Sequence, residues 1–251
     1  MQLNTSGNLR KPALALGLAL LGSHTNALAG EWYVGLGGEI SSSPFIGIDN
    51  ESAAIPVVVY EGERFSLGID DISYRLVGDD ESALHLVVSG RGPAYDPDDS
   101  NRLAGIKERD DAIELGLSAT MSFDWGIFGA SFLADVSDTH KGFETTLSYS
   151  VPFEAGEWEI VPSLGITHQS KKLVDYYYGV RASEATAQRA AYTGRATNSS
   201  SFSIEATREL TKQWSLVTGI GYERPGDGMR DSSIVDEKSV SFFYLAGLYQ
   251  F

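Results

Sequence analysis

Polar and apolar residues alternate without a break from Ile113 to Phe123. The odd-numbered positions are apolar, as at Leu115 and Leu117, and the even-numbered positions are polar or small, as at Glu114 and Ser118. Successive side chains of a β-strand point to opposite faces, so this alternation predicts a strand with one apolar and one polar face.

Similar alternation recurs along the chain and predicts about twelve strands. The segments are 32–39, 54–60, 64–69, 72–77, 83–91, 113–123, 125–136, 143–151, 158–168, 202–210, 214–223 and 239–251. Pro56 weakens the second strand because it has no N–H to donate. Asp70 and Asp71 leave open whether 64–77 forms one strand or two. An even count is required if both chain ends lie on one side of a membrane, so ten strands are the fallback.

The connections between these strands differ in length. Short turns are predicted at Asp124, 153–157 and 211–213, and long polar segments at 92–111 and 171–200, the second with helical composition over 182–191. Bacterial outer-membrane barrels combine short periplasmic turns with long extracellular loops in this way. A soluble β-sandwich also has alternating strands, but it explains neither the two turn lengths nor the aromatic last residue. We therefore predict an all-β fold, a transmembrane antiparallel β-barrel.

The first 29 residues have the pattern of a cleavable signal peptide. Arg10 and Lys11 are basic, residues 13–21 form an apolar run too short to span a bilayer, and residues 27–29 read Ala-Leu-Ala. A buried N-terminal helix is the alternative interpretation. We expect a mature chain that begins at Gly30, one barrel domain over 30–251, and a location in the cell outer membrane.

Composition limits the chemistry that this chain can perform. A formal net charge of −15 argues against nucleic acid as a partner. The chain has no cysteine, which excludes disulfides, thiol catalysis and thiolate metal sites. Aromatic residues make up 11% of the chain, and its tryptophans lie near predicted strand ends, as in the interfacial belt of a barrel surrounded by outer-membrane lipid.

Two short segments combine the residue types of a hydrolytic triad. Residues 135–140 contain Asp, Ser, Thr and His, and His168 lies close to Ser170 and Asp175. Triads are defined by geometry rather than by proximity in sequence, and solvated loops have the same composition. We expect no enzymatic activity and no cofactor.

Two acidic clusters, 79–81 and 96–99, contain enough carboxylates to bind calcium. They lack the ordered spacing of a calcium loop, so solvated acidic loops are the favoured interpretation. No metal site is predicted.

Three consecutive tyrosines, Tyr176, Tyr177 and Tyr178, lie between two predicted strands. Neighbouring side chains of an extended segment alternate, so the three rings cannot all face lipid. At least one ring must point into the lumen or the loop layer, where it would plug the mouth. The last strand adds bulky residues predicted to point inward: Phe242, Tyr244 and Leu248. Together these residues predict a filled lumen that conducts poorly.

The tyrosines belong to a motif by which the chain resembles the MltA-interacting protein/OmpV family. A second motif occupies 231–236, where Ser233 stands in place of the family's usual proline. Two shorter matches also fit the family: Asp135-Val136 followed by Gly142, and Pro162 followed by Leu164-Gly165. The motif residues are Asp175, Tyr176, Tyr177, Tyr178, Gly179, Val180, Glu184, Tyr192, Asp231, Ser232 and Asp236.

This resemblance implies a non-enzymatic outer-membrane barrel that acts as a scaffold or interaction protein. The name-giving member is described as joining a lytic transglycosylase to a murein synthase, and other members are described as adhesins. A surface adhesin and a narrow pore for small solutes stay open as alternatives. The short periplasmic turns leave little surface for a scaffold. Phe251 is expected to be an assembly signal, since the last strand must pair with the first to close the barrel.

Overall fold

The main feature of the computed structural model, which describes residues 30–251, is a single closed antiparallel sheet. Its strands are β1 (Glu31–Ser41), β2 (Glu51–Glu61), β3 (Phe65–Leu67), β4 (Asp71–Gly78), β5 (Ser82–Arg91), β6 (Ala112–Phe123), β7 (Gly126–Asp135), β8 (Phe143–Ser150), β9 (Phe153–Ala155), β10 (Trp158–Gln169), β11 (Thr197–Glu209), β12 (Trp214–Arg224) and β13 (Val240–Gln250). The predicted signal segment lies outside the described residues.

Two short helices, α1 (Lys171–Tyr178) and α2 (Asp227–Arg230), and a 3₁₀ turn (Pro97–Asp99) interrupt the loops. Neither helix within 30–251 has the length and apolar character needed to cross a membrane.

Pairing of β1 with β13 closes the ring, with Tyr33 opposite Gln250 and Ser41 opposite Phe242. Strands β8 and β9 follow each other along the same edge of β10, so the closed ring contains twelve strands. The predicted twelve-stranded antiparallel barrel is confirmed. The segment 153–157 was predicted to be a turn, but its first residues form β9 because they pair with β10.

The two ends of the barrel differ as the sequence predicted. Short turns connect the strands at one end, and longer loops connect them at the other. The long loops are loop A (42–50), loop B (92–111), loop C (136–142), loop D (170–196) and loop E (225–239). The connection between β3 and β4 lies at the same end as the long loops but is short. Its residues, 68–70, form a tight turn in which the Gly68 N–H donates to the carbonyl oxygen of Asp71 at 2.8 Å.

This tight turn divides 64–77 into two strands, β3 and β4. Among the described residues, β3 pairs with β2 only at Tyr60 and Glu61. Most of β2 is therefore paired with a neighbouring strand, β1, on one side only. Pro56 lies in that part of the strand, where a missing N–H costs least.

The predicted alternation of faces holds around the wall. On β6, Ile113, Leu115 and Leu117 are exposed on the outer surface, while Glu114 between them is buried inside. Aromatic rings gather at the short-turn end, where the Tyr149 hydroxyl donates to the carbonyl oxygen of Trp125 at 2.7 Å. An apolar band bordered by aromatic rings is typical of a wall that faces lipid.

The lumen has two chemically different sides. Strands β1, β2, β12 and β13 form a buried apolar cluster, the lumen cluster: Tyr33, Val57, Val59, Val217, Tyr244, Ala246 and Leu248. Phe242 packs against it, so the three bulky residues of the last strand point inward as predicted. On the opposite side, hydroxyl groups bridge neighbouring strands, Thr146 with Thr167 at 3.1 Å and Ser150 with Ser163 at 2.8 Å.

Candidate functional site

The long loops fold over the barrel mouth and share a hydrophobic core of their own. Its buried members come from loops A, B, D and E: Phe45, Tyr95, Leu103, Ile106, Leu173, Val174, Tyr177, Tyr178, Val180, Met229 and Ile234. We call this loop layer the cap. Residues far apart in the chain meet in it, so the cap is a packed layer that covers the mouth.

The tyrosine run lies on helix α1, which points its three rings in different directions. The Tyr176 hydroxyl accepts the N–H of Asp110 at 2.8 Å. Tyr177 packs beside the His140 ring, with 5.8 Å between centroids, and Tyr178 stacks on Phe45 at 5.5 Å. Burial raises the pKa of the Tyr177 and Tyr178 hydroxyls well above the ordinary range, so both stay protonated.

The prediction that a tyrosine ring enters the loop layer is therefore correct. One or two helical turns were expected within 182–191, and that expectation is wrong, since the helix of loop D lies at 171–178. Residues 182–191 form turns instead, because Thr186 and Arg189 exchange backbone hydrogen bonds of 2.8 and 3.3 Å.

The rest of the first motif shapes loop D. Gly179 ends α1, and a Cβ there would lie 2.2 Å from the carbonyl oxygen of Asp175. The Asp175 carboxylate accepts the N–H of Gly194 at 2.7 Å. Val180 and Tyr192 exchange backbone hydrogen bonds of 2.8 and 2.9 Å, which return the chain across the mouth.

Glu184 forms a buried ion pair with Arg109 that joins loop D to loop B. The Arg109 guanidinium donates to both carboxylate oxygens, at 3.1 and 3.2 Å, and the N–H groups of Arg181 and Lys107 donate at 2.9 and 3.1 Å. Glu184 is 5% exposed and Arg109 is 2% exposed. Burial alone would raise the pKa of Glu184, but these donors outweigh it and lower the pKa to about 2.

A second buried guanidinium, that of Arg189, strengthens the same junction. It donates to the carbonyl oxygens of Arg102 at 2.7 Å, Ala104 at 3.1 Å and Glu184 at 2.7 Å. Sequence reasoning missed Arg109 and Arg189 as cap residues. A buried arginine has no local pattern in a polar loop, because important partners of both side chains lie in another loop: the Glu184 carboxylate for Arg109 and two loop B carbonyl oxygens for Arg189.

The second family motif lies in loop E and contacts the first motif directly. The Ser232 hydroxyl donates to the carbonyl oxygen of Tyr178 at 2.6 Å, and the Tyr192 hydroxyl donates to that of Gly228 at 2.8 Å. The N–H of Asp236 donates to the carbonyl oxygen of Pro44 in loop A at 3.1 Å.

Asp231 forms an ion pair with Arg195. Ser233, which replaces the usual proline, donates its hydroxyl to the carbonyl oxygen of Ala190 at 2.6 Å. The motif residues of loops D and E thus belong to one structure, the cap.

Polar groups lie directly beneath the cap. The Arg91 guanidinium lies 3.0 Å from a carboxylate oxygen of Glu114 and 3.2 Å from one of Glu144. The Nε2 atom of His140 lies 3.2 Å from the other Glu114 oxygen, and both side chains are buried. This cluster connects loop C and the barrel wall to the underside of Tyr177.

The structure does not assemble either candidate triad. The Asp135 carboxylate accepts the backbone N–H groups of Ser137, His140 and Lys141, each at 2.7 Å, and so shapes loop C. His168 shares a 2.8 Å hydrogen bond with Asn198, and the Ser170 hydroxyl oxygen accepts the N–H of Phe143 at 2.8 Å. Asp135 thus orders its own loop, whereas His168 and Ser170 bond to neighbouring strands.

The acidic clusters also have local roles. The carboxylates of Asp79 and Asp96 accept backbone N–H groups within their own turns. Across residues 30–251, no group of three or more His, Asp or Glu side chains is placed to hold a metal ion.

Phe251 extends the seam that closes the barrel. Its N–H donates to the carbonyl oxygen of Trp32 at 3.0 Å, and its ring meets that of Tyr249 edge-on at 5.0 Å. The side chain is 75% exposed at the short-turn end. Its role as an assembly signal stays a prediction.

A family model described as MltA-interacting protein MipA matches residues 34–251. The chain belongs to this family. It is 30% identical to outer membrane protein OmpV of Vibrio cholerae over 82% of this chain and 81% of that protein. It is 24% identical to the MltA-interacting protein of Escherichia coli, over 95% and 98% of the two chains.

A further relative and a solved structure are also similar to this chain. The chain is 27% identical to the putative outer membrane protein YiaT of Escherichia coli over 89% of this chain and 92% of that protein. Among solved structures, the NanC porin aligns with a TM-score of 0.46 and 9% identity over 86% and 98% of the chains. This MipA-family chain is an outer-membrane barrel, with its short turns in the periplasm and its cap outside.

Proposed function

We propose that this MipA-family barrel is a non-enzymatic scaffold that binds other envelope proteins, with a lytic transglycosylase as its first partner and a murein synthase as its second. The observation that carries the proposal is the cap, whose packed core lies across the mouth of the barrel. The lumen cluster fills one side of the interior below it. A barrel occupied in this way suits contact better than passage of solutes. The name of the Escherichia coli relative supports the choice of partner.

The periplasmic turns offer such a partner a strongly acidic surface. Their carboxylates include Glu63, Asp79, Asp80, Glu81, Asp124, Glu154 and Glu157. Nearby basic residues are few, and Arg208 is paired with Glu157. Complementary charge guides association and orients the partners, so a basic patch on a murein enzyme fits this surface.

Site-specific photo-crosslinking in whole cells tests the proposal. A photoreactive residue replaces Lys212, which is exposed in a periplasmic turn, and a matched probe replaces Gln188, which is exposed on the cap. We expect the probe at position 212 to capture a transglycosylase, with a yield that falls as salt increases. Capture at neither position, or capture of the enzyme by the probe at position 188 alone, would reject the scaffold.

The ordered cap also favours a second function, adhesion to a surface outside the cell. Its loops are fixed by buried ion pairs and a common core, so they present a defined extracellular surface. Loss of cell attachment after substitutions on the cap, with the crosslinks at position 212 unchanged, would support adhesion as a separate activity.

A further inference from the structure

A groove with about 640 Å³ of open volume lies on the outer rim of the barrel, between the start of β11 and loop E. Its lining is mostly polar and contains three guanidinium groups. The charged residues that line it are Arg195, Arg224, Arg230, Asp227 and Asp231. We call it the arginine groove.

Two of the three arginines are neutralised locally. Arg195 is paired with Asp231, and Arg230 is paired with Asp227. Within residues 30–251, Arg224 has no such ion pair, and its side chain is exposed. The groove therefore has an excess positive charge on a chain whose formal net charge is −15.

The position of Arg224 indicates which anion it meets. On β12, Ile220 and Tyr222 are exposed on the lipid-facing side, and Arg224 follows them in the same alternation as the last residue of the strand. Since β12 runs outward from a periplasmic turn, Arg224 lies at the outer edge of the apolar band. Arginine side chains at such an edge extend their charged group into the headgroup layer.

We propose that the arginine groove binds a phosphate group on the headgroup of a glycolipid in the outer leaflet. The planar guanidinium of Arg224 offers paired N–H donors that match phosphate oxygens, and it supplies the excess positive charge of the groove. The lipid-facing position of Arg224 makes the bilayer, rather than the surrounding water, the source of the phosphate. This inference is independent of the scaffold function.

Binding of a bis-phosphorylated lipid A to the purified full chain in detergent, measured by native mass spectrometry in EDTA, tests the proposal. The main variant is Arg224→Gln, because removal of an unpaired arginine leaves no carboxylate without its partner. We expect about tenfold weaker binding for Arg224→Gln. Arg224→Lys should show an intermediate loss, because lysine keeps the positive charge but not the paired, planar N–H donors. Arg64→Gln, which removes an exposed arginine with no ion pair within residues 30–251 at the periplasmic end, is the matched control and should bind like the parent chain.

Several results would overturn the proposal. Equal binding of a dephosphorylated lipid A would show that phosphate is not recognised. Equal binding by Arg224→Gln, with heat-modifiable migration proving that the barrel is folded, would show that the arginine groove is not the binding site of the lipid. Displacement of the lipid by low millimolar inorganic phosphate would identify a free anion, rather than a lipid headgroup, as the ligand.

Discussion

At the scale of single residues, buried charges determine how the cap is held together. The Glu184 carboxylate accepts four hydrogen bonds from Arg109, Lys107 and Arg181, which lie on two different loops. Removing one partner of such a pair leaves the other buried without compensation, which costs far more than losing a surface pair. The family motif drew attention to Glu184 but gave it no role, because its partner Arg109 lies in another loop.

Replacing Glu184 by Gln should open the cap without unfolding the barrel. The Arg109 guanidinium would stay buried without a counter-charge, at a cost of about 3 kcal/mol. Faster hydrogen exchange in loops B and D, with unchanged exchange in β6 and β7, would show this. Glu108→Gln, an exposed change in loop B next to Arg109, is the control. Equal exchange in the two variants would mean that the ion pair does not hold the cap.

The cap should also loosen in acid. The folded-state pKa of Glu184, about 2, lies below its ordinary value of 4.5, so the carboxylate stabilises the cap fully above pH 4.5. This stabilisation is lost as the pH falls from about 4.5 towards 2. Protease cleavage within loop D, measured after brief exposure to each pH, should rise across that window. The Glu184→Gln chain should show no such rise, and an identical profile for both chains would contradict the assignment.

At the scale of elements, the sequence predicted strands far better than loops. Strand alternation is a local property, so eleven-residue patterns such as the one in β6 identify both the strand and its two faces. The position of α1 depends instead on contacts of Tyr177 and Tyr178 with residues from other loops. The lumen cluster was predicted only in part. Its bulky members on β13, Tyr244 and Leu248, were predicted, but Val57 and Val217 join it only through the register of other strands.

Gly179→Ala should disturb the end of helix α1. The added methyl group would lie 2.2 Å from the carbonyl oxygen of Asp175, and backbone cannot move aside as cheaply as a side chain. We expect a loss of about 1–3 kcal/mol in cap stability, seen as increased cleavage within loop D. At Gly90, by contrast, nothing lies within 4 Å of an added Cβ. Gly90→Ala should therefore be tolerated, and similar cleavage in both variants would contradict the steric explanation.

Deleting Phe251 should lower the yield of heat-modifiable, folded barrel. The deletion removes the hydrogen bond to Trp32 and the ring contact with Tyr249, both at the seam that joins the first and last strands. Phe251→Gly keeps the backbone N–H but loses the ring, whereas Phe251→Tyr keeps both the N–H and an aromatic ring. Comparing the two variants separates the contribution of the hydrogen bond from that of the ring contact. Normal assembly of the deleted chain would show that the residue is incidental.

At the scale of the whole molecule, the packed core of the cap lies across the mouth of the barrel, and the lumen cluster lines one side of the interior below it. Planar-bilayer recording should therefore show little steady current for the parent chain. Because the lumen cluster occupies only one side of the interior, Tyr177→Ala combined with Tyr178→Ala should increase current by opening the cap, while Tyr222→Ala on the lipid face should not. Large ohmic openings of the parent chain would favour the pore over the scaffold.

The contact between loops A and E has a consequence for the order of assembly. Phe45 and Val235 form a backbone bridge, yet their loops are neighbours only because β1 pairs with β13. Such a contact between distant parts of a chain requires a large closure entropy to be overcome first. We therefore expect the seam of the cap to form after the wall has become a ring. Protection of loops A and E from an external protease would then report, in living cells, the moment at which each barrel is completed.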